Sequence, residues 1–295
     1  MSTLEAISGY LYISPWVIGF LIFTLIPFVA SFLLSFMDYA IATPPRWAGL
    51  SNFKRAFFQD SLFWHSLKLT ITYVMYSVPT GIVGSLLLAV LLNQPIHGNT
   101  IFRTLFFLPT LTPVVAATLL WKWLLHPEVG LVNTLLWRYL HISGPGWLSD
   151  PNWALPSIVV ISLWGSVGGG RMLIFLAALQ GVPRELYEAA EIDGAGGFQK
   201  FWYVTVPMVT PAIFFNLVIG IIGSFSVFTI SYVGTDGGPM YATWFYMLHL
   251  VSQALRYFNM GYASALAWIL FMILLVFTYL QVRLSRHWVY YAGGV

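Results

Sequence analysis

Charge is what this sequence has least of. Charged residues make up 8% of its 295 positions, against roughly a quarter in an ordinary soluble domain. Thirteen basic and ten acidic side chains cannot cover the surface of a 33.2 kDa protein, so a soluble globular enzyme is excluded. Intrinsic disorder is excluded too, because it needs low hydrophobicity and high charge and this chain is 59% hydrophobic. Cysteine is absent, which removes disulfides, thiolate metal sites and cysteine nucleophiles together. The six histidines (65, 97, 126, 141, 249, 287) include no pair at i, i+3 or i+4, so no local metal box exists. The net charge of +3 comes without any basic run suited to nucleic acid. A phosphate-binding GxxxxGK[ST] loop is also missing, and no cofactor is expected. Residues 1–9 hold Glu5 but no Lys or Arg, so the apolar stretch after them reads as a retained first span, not a cleaved signal.

What the sequence has is apolar length. Six segments, near 11–36, 68–92, 101–125, 155–180, 212–233 and 262–282, reach the roughly 20 residues that carry a helix across a bilayer. None of the acidic residues lies inside one. Strand-length alternation is missing, so a barrel is not expected. The expected fold is an all-α membrane protein of six transmembrane helices forming a single domain over residues 1–295. An even number of spans puts both termini on one side.

These spans are not plain anchors. They contain Pro15, Pro27, Pro79, Pro109 and Pro113, with Gly81, Gly84, Gly165, the run Gly168–Gly170, Gly220 and Gly223. Freed backbone groups in lipid must be satisfied by neighbouring helices or by a wet cavity, and the set points to a bundle around a pathway. Residues 38–66 mix aromatics with Arg46, Lys54, Arg55 and Asp60 and read as an interfacial helix. The distribution of Lys and Arg fails to orient the chain, with five on one side against six on the other.

The polar loop 182–211 differs from the rest. It concentrates Glu185, Glu188, Glu191 and Asp193 within nine residues. Pro183 suits the first position of a helix, the early acids suit its positive end, and Gly194 suits its C-terminal stop. A second short helix is expected from about Gly197 to Val204. The physics alone allows a solvated surface loop or a docking element for a soluble partner.

Here the sequence resembles a known family. Glu188-Ala189-Ala190, three residues, Gly194, nine residues, then Val204-x-Val206-Pro207 fits the EAA loop of ABC importer permeases. Val stands where that motif has Ile and Leu. Phe102–Leu136, Leu148–Trp164, Gly234–Thr243 and Gly261–Ala267 resemble further stretches of carbohydrate-importer permeases of the maltose/glycerol-phosphate type. The resemblance implies the MetI-like permease fold in a prokaryotic inner membrane, with both termini cytoplasmic. It implies a second homologous permease, two copies of a cytoplasmic ATPase, an external solute-binding protein and a carbohydrate solute. Glu188, Ala189, Ala190, Asp193, Gly194 and Pro207 would then form the ATPase-coupling element, with Asp193 as a cap for the second helix. Ser166, Val167, Gly170 and Arg171, with Gly220, Ser224 and Val227, would face the solute, and Gly168–Gly170 would leave it room.

Arg171 stands out without the resemblance, because ionisable groups inside a span default to function. Its guanidinium suits solute hydroxyls, a phosphate, a structural pair with the second permease, or a position facing a wet vestibule. Lys122 and His126 are expected to snorkel. The competing class is a secondary transporter or channel, which should carry an Asp, Glu or His relay inside its spans.

Overall fold

The computed structural model describes residues 3–41, 43–95 and 97–290. The terminal residues 1–2 and 291–295, at the chain ends assigned above to the cytoplasm, lie outside them. In chain order the elements begin with α1 (Thr3–Phe20), a π turn at Leu21–Leu25 and α2 (Ile26–Ser35). A two-residue hairpin follows, β1 (Met37–Asp38) paired antiparallel with β2 (Arg46–Trp47). Then come α3 (Ser51–Phe58), α4 (Ser61–Leu92), α5 (Asn99–Phe107) with a 3-10 turn at Leu108–Leu111, α6 (Val114–Leu124), and α7 (Leu131–Leu135) with a π turn at Leu136–Leu140. The second half holds α8 (Pro151–Ser166), α9 (Gly170–Gln180), α10 (Arg184–Ile192) and α11 (Gly197–Lys200). After a π turn at Phe201–Thr205 it continues with α12 (Val206–Met208), α13 (Thr210–Phe225), α14 (Thr229–Gly234) and α15 (Tyr246–Val251). A last π turn at Ser252–Arg256 precedes α16 (Met260–Ser285).

Three helical stretches are long and apolar enough to cross a membrane unbroken: Gly9–Ser35, Ser61–Leu92 and Met260–Ser285. Three more cross only as bent pairs. Asn99–Leu111 and Val114–Leu124 meet at 96°, Pro151–Ser166 and Gly170–Gln180 at 51°, and Gly197–Met208 and Thr210–Phe225 at 64°. Counting each bent pair as one span gives six.

The breaks have local causes. Thr112 is extended because it precedes Pro113, whose ring disfavours the helical region for its neighbour. Two π turns stand at one spacing from a proline: Leu21–Leu25 is followed by Ile26 and Pro27, and Phe201–Thr205 by Val206 and Pro207. A proline lacks the N–H that would close the helical bond four residues back, and a π turn absorbs the register error. The sequence reading carries the fifth span to 233, but α13 ends at Phe225 and a separate short helix follows. The interfacial helix expected over 38–66 is also corrected. Pro44, Pro45 and the positive φ of Gly49 (+56°) break that stretch into the hairpin and α3.

The chain packs as two compact units. One comprises the chain up to Trp64 together with His249–Leu274. Here Trp268 sits between Phe28 and Phe32, with ring centroids 4.7 Å away in each case, and its indole N–H donates to Ser31 Oγ at 3.2 Å. The Asn52 amide donates to the carbonyls of Ser35 and Met37 at 3.0 and 2.8 Å, tying α3 to the end of the first span. Asp60 caps α4, its Oδ1 accepting the N–H groups of Leu62 and Phe63 at 3.0 and 3.2 Å. Its Oδ2 accepts from His249 Nε2 at 2.9 Å and Tyr262 Oη at 2.6 Å. Arg55 covers the Tyr262 ring, 4.2 Å from its centroid.

The other unit comprises His65–Leu248 and the chain from Leu275. Its core is Tyr73, Ile158, Val159, Val227 and Phe245. Tilted ring contact between Tyr73 and Phe245 (5.1 Å between centroids) and the bond from the Tyr246 N–H to Thr70 Oγ1 (2.9 Å) fasten the 240s segment to α4. Every candidate residue named from the sequence falls in this unit.

Candidate functional site

Two sites emerge within the second unit, one on its polar loop and one along its broken spans.

The loop folds as two short helices. α10 ends in a Schellman motif: the Gly194 N–H donates to the Glu191 carbonyl at 3.0 Å, and the Ala195 N–H to Ala190 at 2.9 Å. Gly194 takes φ +79°, and nothing lies within 4 Å of where its Cβ would be. Its requirement for glycine is conformational, not steric. Asp193 is the C-terminal residue of this turn. It does not cap α11 as expected. That cap is the Gln199 side chain, which accepts the Gly196 N–H at 2.8 Å, because Asp193 precedes the turn and Gly196 follows it.

Glu188 and Ala189 are exposed and Ala190 half-buried. Glu191 pairs with Lys200 at 2.6 Å on the surface, whereas Glu188 has no hydrogen-bond or ionic partner among the described residues. Around these acids stand apolar side chains that the sequence reading passed over. Ile192 is 87% exposed and Phe198 76%.

The loop is tied to the bundle beneath it. Tyr187 Oη lies 3.0 Å from Thr205 Oγ1. A cleft of about 330 Å³ between Tyr187, Lys200 and Thr205 on one side and Asn93 and Gln94 on the other links the loop to the end of α4. Pro207, half-buried, follows the π turn that leads into α13.

The second site surrounds Arg171, in the first turn of α9. Its guanidinium fills a slot between two helices. A Cβ added to Gly81 on α4 would collide with Arg171 Nη1. A Cβ on Gly220 of α13 would come within 3.0 Å of Nη2 and 3.3 Å of Val78 Cγ1. Two glycines on separate helices therefore make room for one guanidinium. Gly220 was selected from the sequence; Gly81 was not singled out, although Tyr73, Ser77, Gly81 and Gly84 recur at helical spacing on α4 and so share a face.

That face is lined with hydroxyls. Ser77 Oγ lies 3.4 Å from Ser224 Oγ, and the Tyr73 hydroxyl reaches Ser77 and Ser162. Arg171 forms no ion pair among the described residues.

The glycine run divides between two tasks. Gly168 and Gly169 are buried, and a Cβ on either would strike the Phe106 carbonyl or Thr110 Oγ1. Thr110 donates to the Gly165 carbonyl at 3.2 Å. These two glycines make room for the bend of the preceding span, and only Gly170 of the run faces open space. Val167 seats against Gly84 and borders an apolar cleft of about 620 Å³ lined also by Phe106 and Trp164. Ser166 ends α8, half-buried. Val227 lies in the core cluster, because α13 has already ended at Phe225 and the helical spacing that aligned it with Gly220 and Ser224 no longer applies. Lys122 and His126 border a separate cleft of about 570 Å³ with Asp236.

Comparison with known proteins agrees with this architecture. Residues 63–289 match the model of the binding-protein-dependent transport system inner membrane component family. The chain belongs to this family. It is 42% identical to the probable ABC transporter permease protein YesP of Bacillus subtilis (strain 168), covering 97% of this chain and 93% of that protein. It is 32% identical to the lactose transport system permease protein LacF of Rhizobium radiobacter, covering 95% and 94%. A solved bacterial alginate ABC transporter, crystallised with its alginate pentasaccharide-bound periplasmic protein, contains a chain of the same fold. That chain has a TM-score of 0.85 at 24% identity, covering 96% of this chain and 95% of its own. The protein is therefore a membrane permease subunit of a binding-protein-dependent ABC importer, and ATP hydrolysis resides in a separate subunit.

Proposed function

We propose that this permease forms half of a carbohydrate translocation pathway and is driven through the 182–211 loop. The observation that carries the reading is the exposed, structurally closed loop. A helix with Glu188 and Ala189 outward and a Schellman turn at Gly194 is a rigid projection. Its small side chains allow close seating in a cleft of a soluble ATPase. Glu188 meets a basic group there, and Ala190, Asp193 and Pro207 hold the geometry.

Closure of an ATPase dimer pushes such a projection. The cleft shared with Asn93 and Gln94 carries the movement to α4, the helix that seats Arg171. Ser166, Val167, Gly170, Arg171, Gly220 and Ser224 flank the solute route, with Val227 behind them in the core.

In this reading the loop and both termini face the cytoplasm of a prokaryotic cell. A homologous second permease supplies the other half of the pathway, two ATPase copies bind below, and an external binding protein delivers the sugar. The carbohydrate class follows from the likeness to a lactose permease. A secondary transporter or channel is disfavoured, since no Asp, Glu or His relay occupies the spans.

The test is uptake into proteoliposomes containing this chain, its partner permease and the ATPase. Sugar should accumulate only when ATP and the binding protein are both present. Accumulation driven by an ion gradient without ATP would favour the alternative.

A further inference from the structure

We infer that the solute carried by this permease bears an anionic group, and that Arg171 meets it; this rests on the reading of the chain as a carbohydrate permease. A guanidinium remains charged at any physiological pH, and placing one inside a span is costly unless something answers it. No acid lies within any span of this chain, and Arg171 forms no ion pair among the described residues. Yet the protein builds a seat for it, leaving Gly81 and Gly220 without side chains on two separate helices. The charge is held in place without being neutralised.

A second positive feature lies beside it. The break between α8 and α9 begins an eleven-residue helix within the span, with the buried Gly169 at its cap position and no side-chain cap. Helix N-termini favour negative charge, and in transporters half-helices begun within the membrane commonly point at anionic parts of the solute. Gly170 leaves that end open. Arg171 belongs to the same first turn, so the helix adds a second positive feature in the sequence next to the guanidinium.

The remaining groups fit a sugar. Ser77, Ser224, Ser162 and Tyr73 exchange hydrogen bonds with hydroxyls, but none of them balances a cation. A neutral sugar would be served by such groups alone and would leave the guanidinium uncompensated. A carbohydrate with a carboxylate or phosphate satisfies both sets.

The experiment offers the assembled transporter, with its partner permease, ATPase and binding protein in ATP-loaded proteoliposomes, one mixed pool. The pool holds neutral oligosaccharides, uronic-acid oligosaccharides and hexose phosphates, and accumulated sugars are identified by mass spectrometry. The expected result is preferential accumulation of one of the two anionic classes, which also tells carboxylate from phosphate. R171Q should reduce it by about tenfold or more, the scale of one charge-assisted hydrogen bond, while R171K retains most of it.

Preferential accumulation of neutral sugars would overturn the inference while leaving the importer intact. So would anionic uptake unchanged in R171Q, or a loss in R171Q that is equal for every class, as a structural pair with the second permease predicts. ATP-dependent accumulation of no sugar at all would instead defeat the carbohydrate-importer reading, and this inference with it. If R171Q does not assemble, R171H decides. Anionic uptake that rises as pH falls through the histidine range, with neutral uptake flat and the native protein unaffected, supports the inference. The same pH response for both classes overturns it.

Discussion

The guanidinium of Arg171 occupies the space that a side chain at Gly81 would need. The two residues stand ninety positions apart in sequence, on α4 and α9. Replacing Gly81 by Val should displace the guanidinium and lower uptake by about tenfold, the scale of a lost charge-assisted contact. Gly223→Ala is the matched control, because nothing lies within 4 Å of that position on α13. It should keep uptake within about twofold of native, as substitutions away from such features do. Equal losses in both variants would mean that any change to these spans harms transport.

At Gly194 the requirement is conformational. An L side chain at φ +79° costs about 1–2 kcal/mol in the left-handed region, most for a β-branched residue. Gly194→Val should leave the protein assembled, because no packing is disturbed, but should misplace the end of α10. ATP hydrolysis should then proceed without sugar uptake. Thermal unfolding and uptake assays on one preparation separate this outcome from simple misfolding.

Glu188 and Glu191 lie three residues apart and should behave differently. Glu191 pairs with Lys200 on the surface, and such a pair is worth about 1 kcal/mol at most. Glu191→Ala should therefore hold uptake within about twofold. Glu188 has no partner among the described residues, and Glu188→Ala should abolish the stimulation of ATP hydrolysis by the loaded binding protein. Similar effects from both would deny Glu188 a distinct role.

Acid should loosen the first unit. Burial lowers the pKa of His249, outweighing the opposite pull of Asp60, so the folded state prefers the neutral ring. This contribution to stability is complete above the ordinary histidine value of about 6.5 and falls as pH drops from there toward the folded pKa. Asp60 acts in the same direction at lower pH. Burial pushes its pKa up, but the Tyr262 hydroxyl and His249 bring it below the ordinary carboxylate value. Its share is present above about 3.9 and lost as pH falls through the lowered value. The melting temperature should decline between pH 7 and pH 5, and His249→Gln should flatten that decline. An unchanged slope in the variant would reject the assignment.

Local chemistry made the loop legible. Pro183, the early acids and Gly194 each carry a conformational instruction within a few residues, and α10 with its closing turn follows it. Asp193 was misread because capping depends on which side of the turn a residue occupies. The Arg171 seat was half legible. The intramembrane charge announced itself, and helical spacing reached Gly220 and Ser224. Gly81 became meaningful only once α4 and α9 were side by side. Val227 shows the limit of periodicity: face arithmetic holds only while the helix continues, and the one local sign that α13 stops near Phe225 is the short Gly223-Ser224-Phe225-Ser226 stretch within an apolar run. The opposite case is Pro113, whose effect on Thr112 is local and whose place is a sharp bend.

The central claim is that α10 is where ATP hydrolysis reaches the membrane helices. The chain's lack of cysteine permits a direct measurement. A single Ala189→Cys, carrying a short cysteine-reactive photocrosslinker, should attach to the ATPase subunit in the assembled transporter, and the same change at Tyr241, which the proposed orientation puts on the other side of the membrane, should not. The crosslink should also lock transport, stopping uptake until it is cleaved. Crosslinking from Ala189 to lipid or to the second permease, or full uptake with the ATPase crosslink in place, would contradict the account.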